Sequence, residues 1–514
     1  MINHYPNQKQ HITRARTSLF ALLSLVLLIE SFSTSAVMGS PQRARRSTQR
    51  DAWRKQPPKS DAPRPFALPA VRETRLKNGL TVLFIEDHRS PMVTVLVGVP
   101  LAIEPTRDIA ELTNQMALAE AAAELVTEGA GSRTSEQMAR EVETLGGRLS
   151  SSANDDYAEV SLSVVAENAE RIMDLLGDVL LRPMFPESEV ALYKRNRIQN
   201  LVVQRQDPAF LAGEQFDRIV FGSHPYGISA PTPASIDALD REKIAELYRS
   251  NFGPDGSVAI IVGDFEASRM EIKAREVLAG WKEPQKKSTK VRAALDFPRA
   301  TERRVYLVNR PGSEQADFRI GTLAVKRSSA DYFPLLVANS ILGGGTGSRL
   351  FLNIRERKGY AYDVYSSVGA LREAGSFFGG AETRTAVTGR AIREMLAEFD
   401  RLSAVKVGPR ELQGAKNYLN GLFSLSLSTQ GGVAERIMQT HMLGLGRDYL
   451  EGYRSRIEAV TAEQVQEAAR KYILSDHPAI VVVGDASKLA KDLRTIGPVE
   501  VLDIEGKPMK QSAP

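Results

Sequence analysis

The sequence predicts an α+β fold made of two homologous domains, and two observations carry that prediction. The first is an internal repeat, in which residues 236–244 (IDALDREKI) recur as residues 457–465 (IEAVTAEQV) at an offset of 221. Each copy leads to an apolar run that ends in Gly-Asp, at 259–264 and at 480–485. The second is the polar–apolar alternation of residues 159–165 (EVSLSVV), which is typical of a half-buried antiparallel strand.

Each copy of the repeat also predicts its own local structure. Asp240 in the first copy and Thr461 in the second are expected helix N-caps, because their side-chain oxygens can accept hydrogen bonds from free backbone N–H groups. The apolar runs that follow are expected strands. We therefore predict that each domain is an antiparallel sheet with helices packed on one face.

The chain of 514 residues is too long for a single core, and composition sets the expected domain bounds. The predicted order is signal peptide 1–36, disordered basic linker 37–69, first domain 70–283, linker 284–295, second domain 296–505 and tail 506–514.

The N-terminal segment has the pattern of an export signal. Lys9, Arg14 and Arg16 precede an apolar run at 19–29, and small residues at 33–36 offer a cleavage site. The apolar run is shorter than the roughly 20 residues of an ordinary membrane-spanning helix. The sequence therefore predicts a periplasmic protein, with an uncleaved N-terminal membrane anchor as the alternative.

The charge distribution argues against a nucleic-acid-binding protein. Residues 1–65 hold eleven Lys and Arg against three acidic residues, whereas the rest of the chain holds 56 basic and 59 acidic residues. A nucleic-acid-binding protein is expected to keep its positive charge on the folded domains. The chain also has no cysteine, which excludes disulfides and thiol chemistry.

Several segments resemble the insulinase/pitrilysin family of zinc metallopeptidases, which includes the mitochondrial processing peptidases. They are 76–83 (LKNGLTVL), 134–147 (TSEQMAREVETLGG), 182–187 (RPMFPE), and 342–350 (LGGGTGSRL) running on to 355–362 (RERKGYAY). These segments occur in the family's order over about residues 70–490. The resemblance implies two homologous domains paired as a half-clamshell, and it implies peptidase chemistry.

The family's zinc motif is degenerate in this chain. Members carry His-x-x-Glu-His on a helix, where the two histidines bind Zn²⁺ and the glutamate activates water. Matching the segment that follows the motif places it at 120–124, so that Glu120 and Glu124 replace the histidines and Ala123 replaces the base. The six histidines of the chain include no pair with helical i, i+4 spacing.

The position of the third zinc ligand is also changed. In the family a carboxylate from a later helix completes the site, and the matching position here is Asn200. Residues 190–206 contain no acidic side chain, so a one-residue shift of the alignment does not restore a ligand. We expect no metal on this chain.

Two interpretations of the Glu120 and Glu124 pair stay open at this stage. Two carboxylates one helical turn apart could bind Ca²⁺ or Mg²⁺ through their oxygens. Alternatively, they lie on an exposed face or pair with Arg195 or Arg197 from the later helix.

Arg355 and Tyr362 fit another part of the family's machinery, by motif and by their seven-residue spacing. In the family such an Arg and Tyr hold the substrate carbonyl, and a fixed cation and a phenolic donor suit the charge that develops on its oxygen. The competing interpretation is structural, with Arg355 ending a helix near Gly359 and Tyr362 beginning a buried strand.

The resemblance then implies a functional hypothesis. Some members of the family divide the work between a zinc-bearing chain and a chain that supplies only the Arg/Tyr pair. This chain has the pattern of the second kind, acting on a peptide or unfolded protein with zinc on its partner. The alternative is a non-catalytic binding, chaperone or assembly protein with the same fold.

Overall fold

Two six-stranded sheets, each built from one half of the chain, organise the structure. It is a computed structural model that describes residues 69–104, 106–284, 297–298 and 301–509. These residues belong to one compact unit. The predicted signal peptide and nearly all of the two predicted linkers lie outside the described residues. In the part of the chain that is described, none of the helices has the length and apolar character needed to cross a membrane.

In both sheets, strands that are neighbours in space are often far apart in the sequence. The strands of the first sheet are β1 (Val71–Arg75), β2 (Thr81–Glu86), β3 (Met92–Pro100), β4 (Arg148–Ala153), β5 (Tyr157–Val165) and β6 (Val258–Gly263). Those of the second are β7 (Arg304–Asn309), β8 (Gln315–Ala324), β9 (Ala361–Ala370), β10 (Gly375–Arg384), β11 (Ala479–Gly484) and β12 (Val499–Leu502).

Five strands recur in the same order in the two sheets, which confirms the predicted pair of homologous α+β domains. The order β2-β6-β3-β5-β4 of the first domain matches β7-β11-β8-β10-β9 of the second. Most neighbours are antiparallel, but β6 runs parallel to β2 and β11 runs parallel to β7. The sixth strand differs, because β1 is antiparallel to β2 whereas β12, from the other end of the chain, is parallel to β7.

The helices divide between the domains in the same manner. Those of the first half are α1 (Ile109–Leu125), α2 (Ser135–Thr144), α3 (Ala169–Leu181), α4 (Glu187–Gln204), α5 (Pro208–Phe221), α6 (Pro233–Asp237), α7 (Arg241–Asn251) and α8 (Ala267–Leu278). Those of the second half are α9 (Tyr332–Gly343), α10 (Thr388–Ala404), α11 (Pro409–Ser426), α12 (Gln430–Met442), α13 (Asp448–Glu451), α14 (Tyr453–Ala459), α15 (Ala462–Tyr472) and α16 (Ala486–Leu493).

The repeat folds locally as its sequence predicts. Asp240 caps α7 by accepting from the backbone N–H of Lys243, and Thr461 caps α15 by accepting from that of Gln464. The strands that follow, β6 and β11, are buried at every residue. A strand that is covered on both faces has no solvent side to alternate with, so its sequence is continuously apolar.

The domains exchange one helix each, a feature that the sequence did not predict. Helix α5 of the first half packs on β8 and β11 of the second sheet, and α12 of the second half packs on β3 and β6 of the first. Both contacts are close: a Cβ on Gly98 would lie 2.3 Å from the sulfur of Met438, and one on Gly213 would lie 2.7 Å from the Arg319 guanidinium. Each sheet therefore has its own helices on one face and a helix of the other domain on the opposite face.

Polar contacts reinforce this exchange. The amide of Gln430, at the start of α12, donates to the backbone carbonyls of Asp87 (2.8 Å) and Ser90 (3.1 Å) in the first domain. Asp156 accepts from the hydroxyl of Tyr226 at 2.5 Å and from the backbone N–H of Arg372 at 3.1 Å. These bonds are buried or half-buried, so they fix the register of the two domains as well as adding stability.

Candidate functional site

Helix α1 holds the degenerate motif and buries part of it. Asp108 caps the helix by accepting from the backbone N–H groups of Ala110 and Glu111. Residues Ala121, Ala122 and Ala123 are buried in the core of the first domain, with Ala123 only 2% exposed. The position that the resemblance assigns to a general base therefore carries a methyl group in an apolar environment.

Glu120 is held by an arginine of α4. The Arg197 guanidinium lies 2.5 Å from a Glu120 carboxylate oxygen, and the two side chains are only 17% and 23% exposed. Arg195 lies on the exposed side of the same helix. The carboxylate pair thus meets the later helix through Arg197, one of the two pairings considered from the sequence, and a cation of the protein already occupies one carboxylate.

Burial sets the protonation of this group of side chains. It raises the pKa of Glu124 to about 7, and the negative charge of Glu120 adds to the effect while Arg197 opposes it. It also raises the pKa of Glu120, although the charge and hydrogen bond of Arg197 pull in the other direction. Burial and the two carboxylates raise the pKa of the nearby Tyr193 hydroxyl as well. Glu124 is therefore partly protonated at neutral pH.

Asn200 does not join this cluster. It is exposed on α4, one turn beyond Arg197, and no hydrogen bond between Asn200 and α1 occurs in the described part of the chain. A catalytic zinc site needs three His, Cys or carboxylate ligands, free of protons at the donor atoms, around an open position. The side chains here do not fit zinc, since the motif offers two carboxylates, one of them paired with a guanidinium. Within residues 69–104, 106–284 and 301–509, no three metal-ligating side chains are grouped to hold an ion.

Arg355 and Tyr362 are brought together in the second domain. Arg355 lies in a π-helical segment, Phe351–Arg357, and Tyr362 is the second residue of β9. The Arg355 guanidinium carbon is 4.8 Å from the centre of the Tyr362 ring and 4.6 Å from that of Phe351. The guanidinium thus contacts two rings, in a geometry that gives cation–π attraction.

Tyr362 is unusually exposed for an aromatic side chain. It is 84% exposed, more than any other large hydrophobic residue of the described chain. The structural interpretation from sequence placed it at the start of a buried strand, and the structure places it at the start of a strand but in solvent. Its contact with Arg355 holds the ring while leaving the hydroxyl accessible.

The π-helical segment that carries Arg355 is anchored to helix α10. Asn353, buried on the opposite side, donates from its amide to carboxylate oxygens of Glu394 and Glu398 on α10, both at 3.0 Å. Lys358 pairs with Glu394 at 3.0 Å. After the segment the chain turns at Gly359, whose φ of +61° favours glycine.

The sequence did not predict these supporting residues. The i, i+4 spacing of Phe351 and Arg355 is a signal that could have shown the stacked pair in advance. The pairing of Asn353 with α10 spans more than 40 residues and leaves no local signal. Among the described residues, no hydrogen bond or ion pair joins the Arg355/Tyr362 pair to the Glu120 cluster.

Two homologous α+β domains, with an altered metallopeptidase motif at residues 120–124 on α1, define the class of this protein as metallopeptidase-like. Two sequence models agree with that class: one described as "Insulinase (Peptidase family M16)" matches residues 110–229, and one described as "Peptidase M16 inactive domain" matches residues 238–419. Together they cover more than half of the chain. The chain therefore belongs to the insulinase family, peptidase family M16.

Similar proteins come from several bacteria. An uncharacterized zinc protease of Mycobacterium tuberculosis is 25% identical over 452 residues, which cover 84% of this chain and 98% of that protein. The uncharacterized zinc protease YmxG of Bacillus subtilis is 22% identical, covering 80% of this chain and 98% of its own length.

Solved structures share the fold. A peptidase M16 inactive domain from Pseudomonas fluorescens has a TM-score of 0.73 at 24% identity, covering 81% of this chain and 98% of that one. A protease from Helicobacter pylori has the same TM-score at 16% identity and covers 81% and 100%.

Proposed function

We propose that this chain is the non-zinc subunit of a two-chain peptidase of the insulinase family. In this proposal a homologous subunit bears the zinc, and this chain supplies Arg355 and Tyr362 to bind the carbonyl of the scissile peptide bond. The observation that carries the proposal is the contrast between its two sites. The Arg355/Tyr362 pair is stacked and open to solvent, whereas Glu120 of the old zinc motif is paired with Arg197.

The chemistry of the pair suits peptide hydrolysis. When water attacks a peptide carbonyl, negative charge develops on the carbonyl oxygen, and donors already in place stabilise that charge. Arg355 offers a permanent cation and Tyr362 a phenolic O–H on an exposed ring. Because Phe351 and Tyr362 both contact the guanidinium, the donors are held in place before substrate arrives.

The first domain of this chain does not supply the water-activating half of the reaction. That half needs a metal with an open position and a base beside it. Ala123 is buried and has no proton-accepting group, and Arg197 already compensates Glu120. The proposal therefore assigns zinc and base to the partner subunit, and it assigns binding of the substrate carbonyl to this one.

The location is part of the same proposal. Residues 1–36 carry the pattern of an export signal, so we place the complex in the periplasm, where its substrates would be peptides or unfolded proteins. An uncleaved signal would instead tether this subunit to the inner membrane. Comparing the N-terminal residue of the protein purified from cells with the printed sequence distinguishes the two.

The test is reconstitution with a zinc-bearing homologue encoded in the same genome. The mixture should cleave a quenched fluorescent peptide far faster than either chain by itself. Arg355→Ala or Tyr362→Phe should lower its turnover by about 10²–10³-fold, the usual cost of removing one oxyanion donor. Assembly, followed by gel filtration, should be unchanged, because neither substitution alters a buried contact.

Two neighbouring substitutions serve as matched controls. Arg357→Ala removes an exposed arginine from the same π-helical segment, and Tyr360→Phe removes a hydroxyl two residues before Tyr362. Both should leave turnover within about twofold, as is usual for surface changes. Full activity in assembled Arg355→Ala and Tyr362→Phe complexes would reduce the pair to a structural role. A chain that assembles with the homologue but never raises its activity would instead support a non-catalytic binding function.

A further inference from the structure

A small cavity in the second domain has a lining rich in positive charge and hydrogen-bond donors. It lies where α11, α12, α13 and α14 meet the loop after β8, and Arg327, Arg436, Tyr449 and Tyr453 are among its lining residues. The volume of the cavity is about 10 Å³. A cavity needs about 10–15 Å³ by this measure to hold one water molecule, so this one has room for a single small particle.

Arg327 reaches the cavity from the loop and is enclosed by aromatic rings. Its guanidinium carbon lies 4.1 Å from the centre of the Tyr332 ring and 5.6 Å from that of Tyr449, and one terminal nitrogen donates to the Tyr332 hydroxyl. The Nε–H group of Arg327 is buried and has no hydrogen-bond partner. One strong charged donor therefore remains unused.

Arg436 brings a second positive charge from α12. Its Nε donates to the Ser426 hydroxyl at 3.0 Å and a terminal nitrogen donates to the Gln439 amide oxygen at 3.2 Å. Burial and the neighbouring charge of Arg327 hold the pKa of Arg436 below the ordinary arginine value. In the described part of the chain, neither Arg327 nor Arg436 forms an ion pair within 4 Å, and Glu435 is the acidic neighbour whose charge acts to raise the pKa of Arg436.

Two phenolic hydroxyls add to the surplus of donors. The Tyr453 hydroxyl is buried without a hydrogen-bond partner, and Tyr453 is only 1% exposed. The buried Tyr449 hydroxyl lies beside the Arg327 guanidinium, so its own O–H proton still lacks an acceptor. The Tyr453 ring stacks on Phe423, with centroids 4.3 Å apart and planes at 12°, so packing holds it in place. A buried donor without an acceptor costs about 1–3 kcal/mol, and buried polar groups in folded proteins are nearly always satisfied.

A ligand that satisfies these buried donors and charges must accept several hydrogen bonds and carry negative charge. A water molecule would accept at most two bonds, would add protons of its own, and would leave both arginines uncompensated. A sulfate or phosphate, with five heavy atoms, exceeds the space. We propose that this cavity binds one inorganic anion of chloride size, which accepts from Arg327 and the two tyrosine hydroxyls and balances the guanidinium charges.

The position of the site gives it a structural consequence. Arg436 lies on α12, the helix that the second domain packs on the sheet of the first, and Met438 of the same helix rests against Gly98. An anion beside Arg436 weakens the repulsion between the guanidinium groups of Arg436, in the middle of this helix, and Arg327. Its binding should therefore stabilise the whole chain, including the contact between the domains.

The test measures thermal unfolding of the full chain as chloride replaces gluconate at constant ionic strength. A ligand that binds only the folded state should raise Tm by about 1–2 °C for each tenfold increase in chloride above its dissociation constant, for a chain of this size. Bromide should act like chloride. A crystal grown in bromide should give an anomalous peak in the cavity between Arg327 and Tyr453.

Amino-acid substitutions test whether the chloride dependence of Tm comes from this cavity. Arg436→Gln should abolish the chloride response, whereas Arg140→Gln, which removes an exposed arginine of α2, should keep it. Tyr453→Phe should weaken the response at least tenfold in apparent affinity but leave Tm in gluconate unchanged or higher, because it removes an unsatisfied hydroxyl. If Arg436→Gln does not fold, the Tyr453→Phe titration and the bromide crystal decide. A Tm independent of chloride, an equal response to sulfate, or no anomalous peak would overturn the proposal.

Discussion

The Glu120/Arg197 pair of the first domain and the Arg355/Tyr362 pair of the second differ in whether their charges are neutralised within the protein. In the first domain, Glu120 and Arg197 lie 2.5 Å apart and are mostly buried, so their charges compensate each other. In the second domain, Arg355 contacts two aromatic rings and forms only a longer, more exposed ion pair with Glu356 at 3.6 Å, and Tyr362 is 84% exposed. A charge that is neutralised within the protein stabilises the fold, whereas one left facing solvent remains available to a ligand. The difference teaches that the charges of the first group of side chains are satisfied within the protein, whereas the second group is left open to solvent, as the proposed binding role requires.

The largest expected effect on stability comes from breaking the buried ion pair. Arg197→Ala leaves Glu120 without its cation beside Glu124, and we expect the free energy of unfolding to fall by about 2–3 kcal/mol at pH 8. The figure lies below the roughly 3–5 kcal/mol that is typical of fully buried pairs, because both side chains keep some contact with water. Urea unfolding monitored by circular dichroism measures it.

The control for this prediction is on the same helix. Arg195→Ala removes an exposed arginine two residues away and should change stability by less than about 0.5 kcal/mol. Equal losses in the two variants would mean that the ion pair contributes nothing specific, and the contrast between the two domains would disappear.

A smaller effect should appear in the pH dependence of stability. The pKa of Glu124 is raised from 4.5 to about 7 in the folded chain, so between these values the folded state binds more protons than the unfolded state. The stabilisation is complete below pH 4.5 and is lost as the pH rises through 7. Glu124→Gln should remove this loss, and we expect the variant to be more stable than the natural chain by about 1–2 kcal/mol at pH 8.

Unfolding curves at pH 5 and pH 8 test this prediction. The quantity compared is the change in the free energy of unfolding between the two pH values, in the variant and in the natural chain. Glu111→Gln, which changes an exposed carboxylate on the same helix, is the matched control and should show no such change. Other carboxyl groups with raised pKa values, such as Asp317 at about 7, contribute equally to both variants and cancel. A Glu124→Gln profile parallel to that of the natural chain would show that the carboxyl is not held in its neutral form.

The smallest expected effect on stability concerns Tyr362 in the second domain. Tyr362→Phe changes only a hydroxyl on an exposed ring, so the free energy of unfolding should move by less than about 0.5 kcal/mol. The same substitution is expected to lower the turnover of the reconstituted complex strongly. A loss of stability above 1 kcal/mol, measured by the same urea curves, would contradict the assignment of Tyr362 to binding.

The parts of the fold that were predictable are those with a local cause. The helix caps at Asp240 and Thr461 follow from a side-chain oxygen placed beside free N–H groups, and both are present. The strands β6 and β11 follow from continuous apolar runs, and both are buried. The repetition of these patterns was enough to predict two homologous domains.

The parts that were not predictable depend on packing between distant segments. The choice of Arg197 over Arg195 depends on which side of α4 faces α1, and this helix has buried residues only at Val190 and Leu201 to indicate it. The exposure of Tyr362 depends on where β9 emerges from the edge of its sheet. The exchange of α5 and α12 has no sequence signature, because an apolar helix face has the same pattern whichever sheet it covers.

The exchanged helices also limit how this chain can move. Because each sheet is covered by a helix that belongs to the other half of the polypeptide, separating the halves would strip apolar surface from both at once. In the proposed two-chain peptidase, the opening motion that admits a substrate would then occur at the boundary with the partner subunit, while the two halves of this chain move together.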